Sequence, residues 1–75
     1  MPHRAMIRDY LALAEQHVAE GERNIAEQRE TIAELERDGR DTTQARALLE
    51  QFEEVEVLHI EGRDRLRKEL EDDSG

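Results

Sequence analysis

Hydrophobic residues in the first half of the chain recur every seven positions. The consecutive blocks VAEGERN, IAEQRET and IAELERD, residues 18–38, each open with a branched apolar residue, an alanine and a glutamate. A repeat of seven keeps one row of side chains on one side of an α-helix, at the a and d positions of a coiled coil. The frame extends back towards the start of the chain, with a positions Leu11, Val18, Ile25 and Ile32 and d positions Ile7, Ala14, Gly21, Gln28 and Leu35. It predicts a first helix over about residues 2–38.

The repeat is interrupted at RDGRDTT, residues 37–43. Gly39 is the residue type that commonly follows the end of a helix, and Asp41 with Gln44 three residues later resembles a capping box at the start of the next one. Apolar spacing then resumes in a shifted frame, at Ala45, Leu48, Leu49, Phe52, Val55, His59, Leu66 and Leu70. These signals predict a turn over about residues 39–41, a second helix over about 42–71 and a frayed tail over 72–75.

Two long helices joined by so short a turn fold back on each other, because no other arrangement buries both apolar stripes. The predicted fold class is all-α: one domain, residues 1–75, that forms an antiparallel two-helix hairpin with a coiled-coil-like heptad seam. If the turn is centred near residue 40, facing residues have numbers that sum to about 80. This places Phe52 opposite Gln28, and His59 opposite Gly21.

A hairpin of two helices leaves the outer side of each seam residue in water. A chain of 75 residues rarely gains more than roughly 3–5 kcal/mol from a single core, and without cysteine it has no disulfide to strengthen it. The prediction is therefore a homodimeric four-helix bundle with a left-handed supercoil. The predicted oligomer seam consists of Leu11, Val18, Ile25, Ile32, Leu35, Leu48, Phe52, Val55, His59 and Leu66.

Apolar residues outside that seam widen the exposed stripe, and we expect them to cluster towards the open end of the hairpin. They are Met6, Tyr10, Leu13, Val57, Leu58 and Ile60. The alternative to self-association is that this exposed stripe binds a different protein.

Composition narrows the choice of partners. Charged residues make up 41% of the chain and the net charge is -9, which disfavours contact with nucleic-acid phosphates or anionic lipids. The sequence contains no apolar run of the ~20 residues that span a bilayer and no hydrophobic region of a signal peptide, so we expect a soluble, cytoplasmic protein. A nucleic-acid-binding hairpin, comparable to Rop in architecture only, is an alternative. It would use the basic residues near the open end, namely Arg63, Arg65, Arg67 and Lys68 of the second helix and Arg4 and Arg8 of the first.

The residue inventory argues against an enzyme. The chain has no cysteine, its single serine is Ser74 and its single lysine is Lys68 on a charged surface, so an activated nucleophile has no evident source. The four glycines are far apart and form no phosphate-binding loop. We therefore expect a non-enzymatic protein without a cofactor.

One spacing suggests a metal site. Glu56 and His59, three residues apart, place a carboxylate and an imidazole on one helical face, and carboxylate four-helix bundles combine two such pairs with a glutamate from each of two other helices. Glu20 or Glu22 would supply those glutamates. Against this hypothesis, the facing layer holds Gly21, and the a and d rows of the first helix contain no glutamate.

His59 also has two interpretations without a metal. It can fill the space over Gly21 as a seam residue hydrogen-bonded to Glu56, or it can act as a protonation switch at mildly acidic pH.

The blocks AEQHVAEGERNIAEQRETIAELERDGRDTTQARALLEQFEE and LHIEGRDRL resemble short bacterial proteins without a known activity. The shared features are the Ile-Ala-Glu heptads, a Leu-x-x-Asp-Gly turn and a Leu-His dipeptide ahead of Arg-Asp. The resemblance implies a bacterial origin and a helical hairpin, and it offers no activity to transfer. The function expected from the sequence is a protein–protein interaction or structural module.

Overall fold

The computed structural model describes residues 2–73, and within them it contains two α-helices and no strand. Helix α1 spans Pro2–Arg37 and helix α2 spans Thr43–Asp73. The helices pack against each other along their length as an antiparallel hairpin, a rod of 58 × 14 × 13 Å. The predicted all-α hairpin is confirmed. Neither helix has a stretch apolar enough to cross a membrane.

A Schellman motif ends α1. The N–H of Gly39 donates to the carbonyl of Glu36 at 3.1 Å, and the N–H of Arg40 donates to the carbonyl of Leu35 at 2.8 Å. Gly39 has a φ of 69°, a left-handed conformation that only glycine adopts without strain. The chain is non-helical over residues 38–42, one residue longer on each side than the predicted turn.

Asp41 caps the start of α2. Its Oδ1 accepts hydrogen bonds from the hydroxyl of Thr43 at 2.7 Å and from the backbone N–H of Thr43 at 3.0 Å. The cap bonds thus go to Thr43 rather than to Gln44, the partner expected for a capping box. Both hydrogen bonds favour the ionised carboxylate, the one from the hydroxyl more than the one from the N–H. They hold the pKa of Asp41 below its usual 3.8. At its other end α2 continues through Asp73, two residues beyond its predicted end, while Ser74 and Gly75 lie outside the described residues.

The a and d rows of α1 face α2 as predicted, and Ile7, Val18 and Ile32 are at most 5% exposed. The facing row of α2 advances by alternating steps of four and three residues, through Ala45, Leu49, Phe52, Glu56, His59, Arg63, Leu66 and Leu70. The sequence pattern had listed both Leu48 and Leu49, of which only Leu49 is in this row, and it had listed Val55 where the row contains Glu56. Of the ten residues predicted for the oligomer seam, only Leu48 and Val55, 40% and 47% exposed, lie outside this hairpin interface.

Candidate functional site

One side of the hairpin is held by ion pairs between the two helices. They join Glu15 to Arg67 at 3.5 Å, Arg29 to Glu53 at 3.2 Å, and Glu36 to Arg46 at 2.7 Å. Within each helix these residues are separated by multiples of seven, so they form one row on each helix along the same edge of the seam. We call this side the ion-paired face. Its pairs are largely exposed to solvent, and each contributes at most about 1 kcal/mol.

The opposite side is apolar. The seam-flanking rows on this side, residues 10, 17, 24 and 31 of α1 and residues 48, 55 and 62 of α2, contain no Asp, Glu, Lys or Arg. In the corresponding rows of the ion-paired face, residues 8, 15, 22, 29 and 36 and residues 46, 53, 60 and 67, only Ile60 is uncharged. We define the apolar face by its exposed large side chains, Met6, Tyr10, Leu13, Leu48, Val55 and Leu58, which are 40% to 66% exposed.

The apolar residues do not simply cluster at the open end, as the sequence had suggested. Leu48, Val55 and Leu58 of α2 cover the turn half and the middle, whereas Tyr10 and Leu13 of α1 cover the open half. The stripe therefore crosses from one helix to the other along the rod. Two residues assigned to it from sequence lie elsewhere: Val57 is exposed on the outer side of α2, and Ile60 is half-buried in a row of the ion-paired face.

A half-open cavity of about 270 Å³ lies on the apolar face near mid-length. Its walls come from both helices: His17, Glu20, Gly21, Asn24, Phe52, Val55, Glu56 and His59. Gly21 is close to the middle of α1, and Glu56 and His59 are close to the middle of α2. The cavity is therefore about equally distant from the two ends of the rod.

The carboxylate of Glu56 is buried in this layer. Glu56 is only 5% exposed, and neither of its carboxylate oxygens has a hydrogen-bond partner among the described residues. The position exists because Gly21 has no side chain: a Cβ there would lie 2.7 Å from Cδ of Glu56 and nearer still to Oε1. Glu56, and not His59, thus fills the space over Gly21, because the row of Leu49 and Glu56 faces α1.

His59 lies beside the buried carboxylate. Its Nδ1 is 3.5 Å from Oε1 of Glu56, is itself buried, and makes no hydrogen bond within the described residues. The ring of His17 tilts over that of His59, with centroids 5.6 Å apart. The expected neighbourhood of Glu56 and His59 is present, but the hydrogen bond between them is not formed. A buried carboxylate without a hydrogen bond is costly, so this layer is unfavourable in the hairpin alone.

Of the four metal ligands suggested by the sequence, the structure brings three to the same cavity. Glu20 lines the cavity with Glu56 and His59, whereas Glu22 is exposed in a row of the ion-paired face. Within residues 2–73 of one chain, no group of three or more His, Asp or Glu side chains is placed to hold a metal ion. A single copy therefore offers Glu56 and His59 as a pair.

Two of the arginines near the open end are engaged with neighbouring acids. Arg63 binds Asp64 at 3.1 Å and Arg67 binds Glu15 at 3.5 Å. These contacts reduce the positive charge that this end offers to a phosphate backbone.

Comparisons with protein families, with curated proteins and with solved structures found no significant match for this chain. Its function is therefore inferred from the two faces of the hairpin and from the polar layer between them.

Proposed function

We propose that this chain is a non-enzymatic, homo-oligomeric helical-bundle protein. Two hairpins pair through their apolar faces into a four-helix bundle, which serves as a protein–protein interaction or structural module. The observation that supports this proposal is the difference between the faces. One edge of the seam is charged at every position but one. The rows of the other edge, residues 10, 17, 24 and 31 and residues 48, 55 and 62, carry no formal charge before Glu69.

The hairpin alone has a thin core. Among the described residues, only Ile7, Val18 and Ile32 are buried apolar side chains, and no side chain is completely buried. Exposed apolar side chains on one face are typical of a surface that another protein covers. A second protein that covers Met6, Tyr10, Leu13 and the exposed apolar residues of α2 would bury the apolar surface that the hairpin leaves in water.

The area and charge of the face fit a second copy of the chain. A long face of the 58 × 14 × 13 Å rod has a projected area of about 800 Å², close to the roughly 800 Å² that each partner buries in a stable complex. A chain with a net charge of -9 repels its own copies on most of its surface. The uncharged rows are where two copies approach at the lowest electrostatic cost, with Glu20, Glu27 and Glu34 at the rim.

Pairing through the apolar face leaves both ion-paired faces on the outside of the bundle. The ion-paired rows carry four arginines and four glutamates, so the acidic excess of the assembled particle lies on its remaining outer surface. This surface is the part that a further protein would bind, and a basic partner is favoured by charge complementarity.

The test is the absolute mass in solution, by size exclusion with light scattering over a range of chain concentrations. We expect twice the chain mass of 8.8 kDa. Val55→Glu should yield monomers, because it places a charge in the middle of the apolar face. Val57→Glu is the matched control: it is the same substitution two residues away, at a side chain of similar exposure on the outer side of α2.

A monomeric wild-type chain at every concentration would contradict self-association. Dissociation by Val57→Glu but not by Val55→Glu would show that the copies pair through a different face. Circular dichroism of each variant verifies that helicity is retained, so that a loss of mass reports on pairing and not on unfolding.

A further inference from the structure

We infer that the mid-length layer is half of a site for a divalent transition-metal ion of the Zn²⁺ class, which two copies of the chain complete with Glu56 and His59 from each. This inference rests on the proposed pairing of two hairpins through the apolar face. It identifies a ligand for the cavity and a reason for burying a carboxylate there.

The separation of the two ligand atoms within one chain suits a tetrahedral ion. Zn²⁺ binds imidazole nitrogen and carboxylate oxygen at about 2.0–2.2 Å, so two of its ligands in a tetrahedron are about 3.3–3.6 Å apart. Nδ1 of His59 and Oε1 of Glu56 are 3.5 Å apart, and neither has a hydrogen-bond partner among the described residues. The separation of these two atoms therefore matches that of two ligands on one tetrahedral ion.

Symmetry brings the second pair of ligands to the same place. Two identical rods that overlap over their full length are related by a two-fold axis, either along the rods or across their middle. The first arrangement places every level of one copy against the same level of the other, and the second does so at mid-length. The Glu56 and His59 layer lies at mid-length on the contacting face, so it meets its own copy in both arrangements.

Charge balance favours the ion. Pairing two hairpins would place two carboxylates that lack hydrogen bonds in one buried layer, and their mutual repulsion would add to the cost of burial. A dication neutralises both glutamates. Two imidazoles and two carboxylates favour a transition metal over Mg²⁺ or Ca²⁺, which prefer oxygen ligands alone. The ring of His17 lies against that of His59, with centroids 5.6 Å apart.

The experiment is a calorimetric titration with Zn²⁺, and with Mg²⁺ as the control ion, on protein purified through a tag without histidine. Masses are measured in parallel with chelator and with Zn²⁺. We expect one Zn²⁺ per two chains in a dimer and no binding of Mg²⁺. Glu56→Gln and His59→Gln should weaken Zn²⁺ binding by more than about 100-fold, since losing only an outer-shell partner of a metal ligand costs ~10–100-fold.

Two matched controls keep the outcome specific to this layer. Glu54→Gln removes an exposed carboxylate two residues from Glu56, and His3→Gln removes an exposed imidazole near the open end. Both should bind Zn²⁺ like the wild type.

The outcomes separate this inference from the proposed function. A dimer that takes up no Zn²⁺, or that binds it equally well after Glu56→Gln, would overturn the metal site and leave the paired bundle intact. One Zn²⁺ per chain in a monomer would overturn the shared site. A chain that stays monomeric with and without Zn²⁺ would overturn both proposals.

Discussion

Gly21→Ala tests whether the buried carboxylate of Glu56 destabilises the metal-free protein. A Cβ at residue 21 would lie 2.7 Å from Cδ of Glu56, too close for the carboxylate to keep its place. The atoms in the way belong to the end of a flexible side chain beside a half-open cavity, so the carboxylate can turn outward into water. The substitution thus expels the charge from the layer without moving either backbone.

Two contributions to the free energy of unfolding have the same sign. Alanine in a helix interior is favoured over glycine by about 1 kcal/mol. Moving a buried polar group that has no hydrogen bond into water recovers about 1–3 kcal/mol. The side chain that has turned outward loses packing and a favourable rotamer, which costs about 0.5–1.5 kcal/mol. We expect Gly21→Ala to stabilise the metal-free protein by about 0.5–3.5 kcal/mol. It should also weaken Zn²⁺ binding, because it displaces a proposed ligand.

The assay is urea unfolding followed by circular dichroism with chelator present. The chain concentration is held constant, because the stability of an assembled bundle depends on it. Gly62→Ala is the control, since residue 62 is helical and no atom lies within 4 Å of a Cβ placed there. It should gain about 1 kcal/mol from helix propensity, with no clash inside the hairpin and one added methyl group on the apolar face. The same Gly21→Ala change in a Glu56→Ala background should also give about 1 kcal/mol, because the carboxylate is no longer there to be displaced.

One result would refute this reasoning. If Gly21→Ala lowers the free energy of unfolding of the wild type by about 1 kcal/mol or more, yet raises it in the Glu56→Ala background, the carboxylate stabilises the fold where it lies. The difference between the two backgrounds measures the coupling of residues 21 and 56 directly.

Two further predictions concern the turn. Gly39→Ala should destabilise the hairpin by about 1–2 kcal/mol, because a residue with a side chain is strained in a left-handed conformation. Gly39→Asn should cost less. If urea unfolding shows no loss of stability for Gly39→Ala, the Schellman motif is contradicted. Asp41 should stabilise the start of α2 in a pH-dependent way. Its pKa is lower in the folded state than its usual 3.8 because Thr43 donates to it, so its contribution is fully present above that value and is lost as the pH falls through the folded pKa. The difference in unfolding free energy between the wild type and Asp41→Ala, measured across acidic pH, should therefore shrink towards zero at low pH, and a difference that grows there would contradict the cap.

Local signals were sufficient to predict the helices and the position of the turn. The seven-residue repeat predicts α1, and Gly39 and Asp41 mark the end of one helix and the start of the next. These signals act over three or four residues along the chain, through backbone hydrogen bonds and the preference of glycine for a left-handed turn. For the same reason they locate an element end only to within a residue or two, as Asp73 shows.

The candidate site could be predicted only in part. The spacing of Glu56 and His59 indicated that they share a helical face, and they do lie side by side. The position of Glu56 over Gly21 was missed, because a glutamate among so many others carries no sign that it is buried. The nearest signal was Gly21 itself, a glycine at a d position in mid-helix, where its low helix propensity implies that something else needs the space.

Tertiary packing decided which side of α2 faces α1. The rows that begin at Leu48 and Leu49 are adjacent on the helix, and each combines with the row of Phe52 and His59 to give the same alternating spacing, so periodicity does not distinguish them. Packing of every layer at once, together with the geometry of the turn, selects Leu49 and buries Glu56. That same rotation leaves Leu48 and Val55 exposed and separates the apolar face from the ion-paired face. Two helices and a turn follow from local patterns along the chain, whereas the two faces and the polar layer depend on how one helix is rotated against the other.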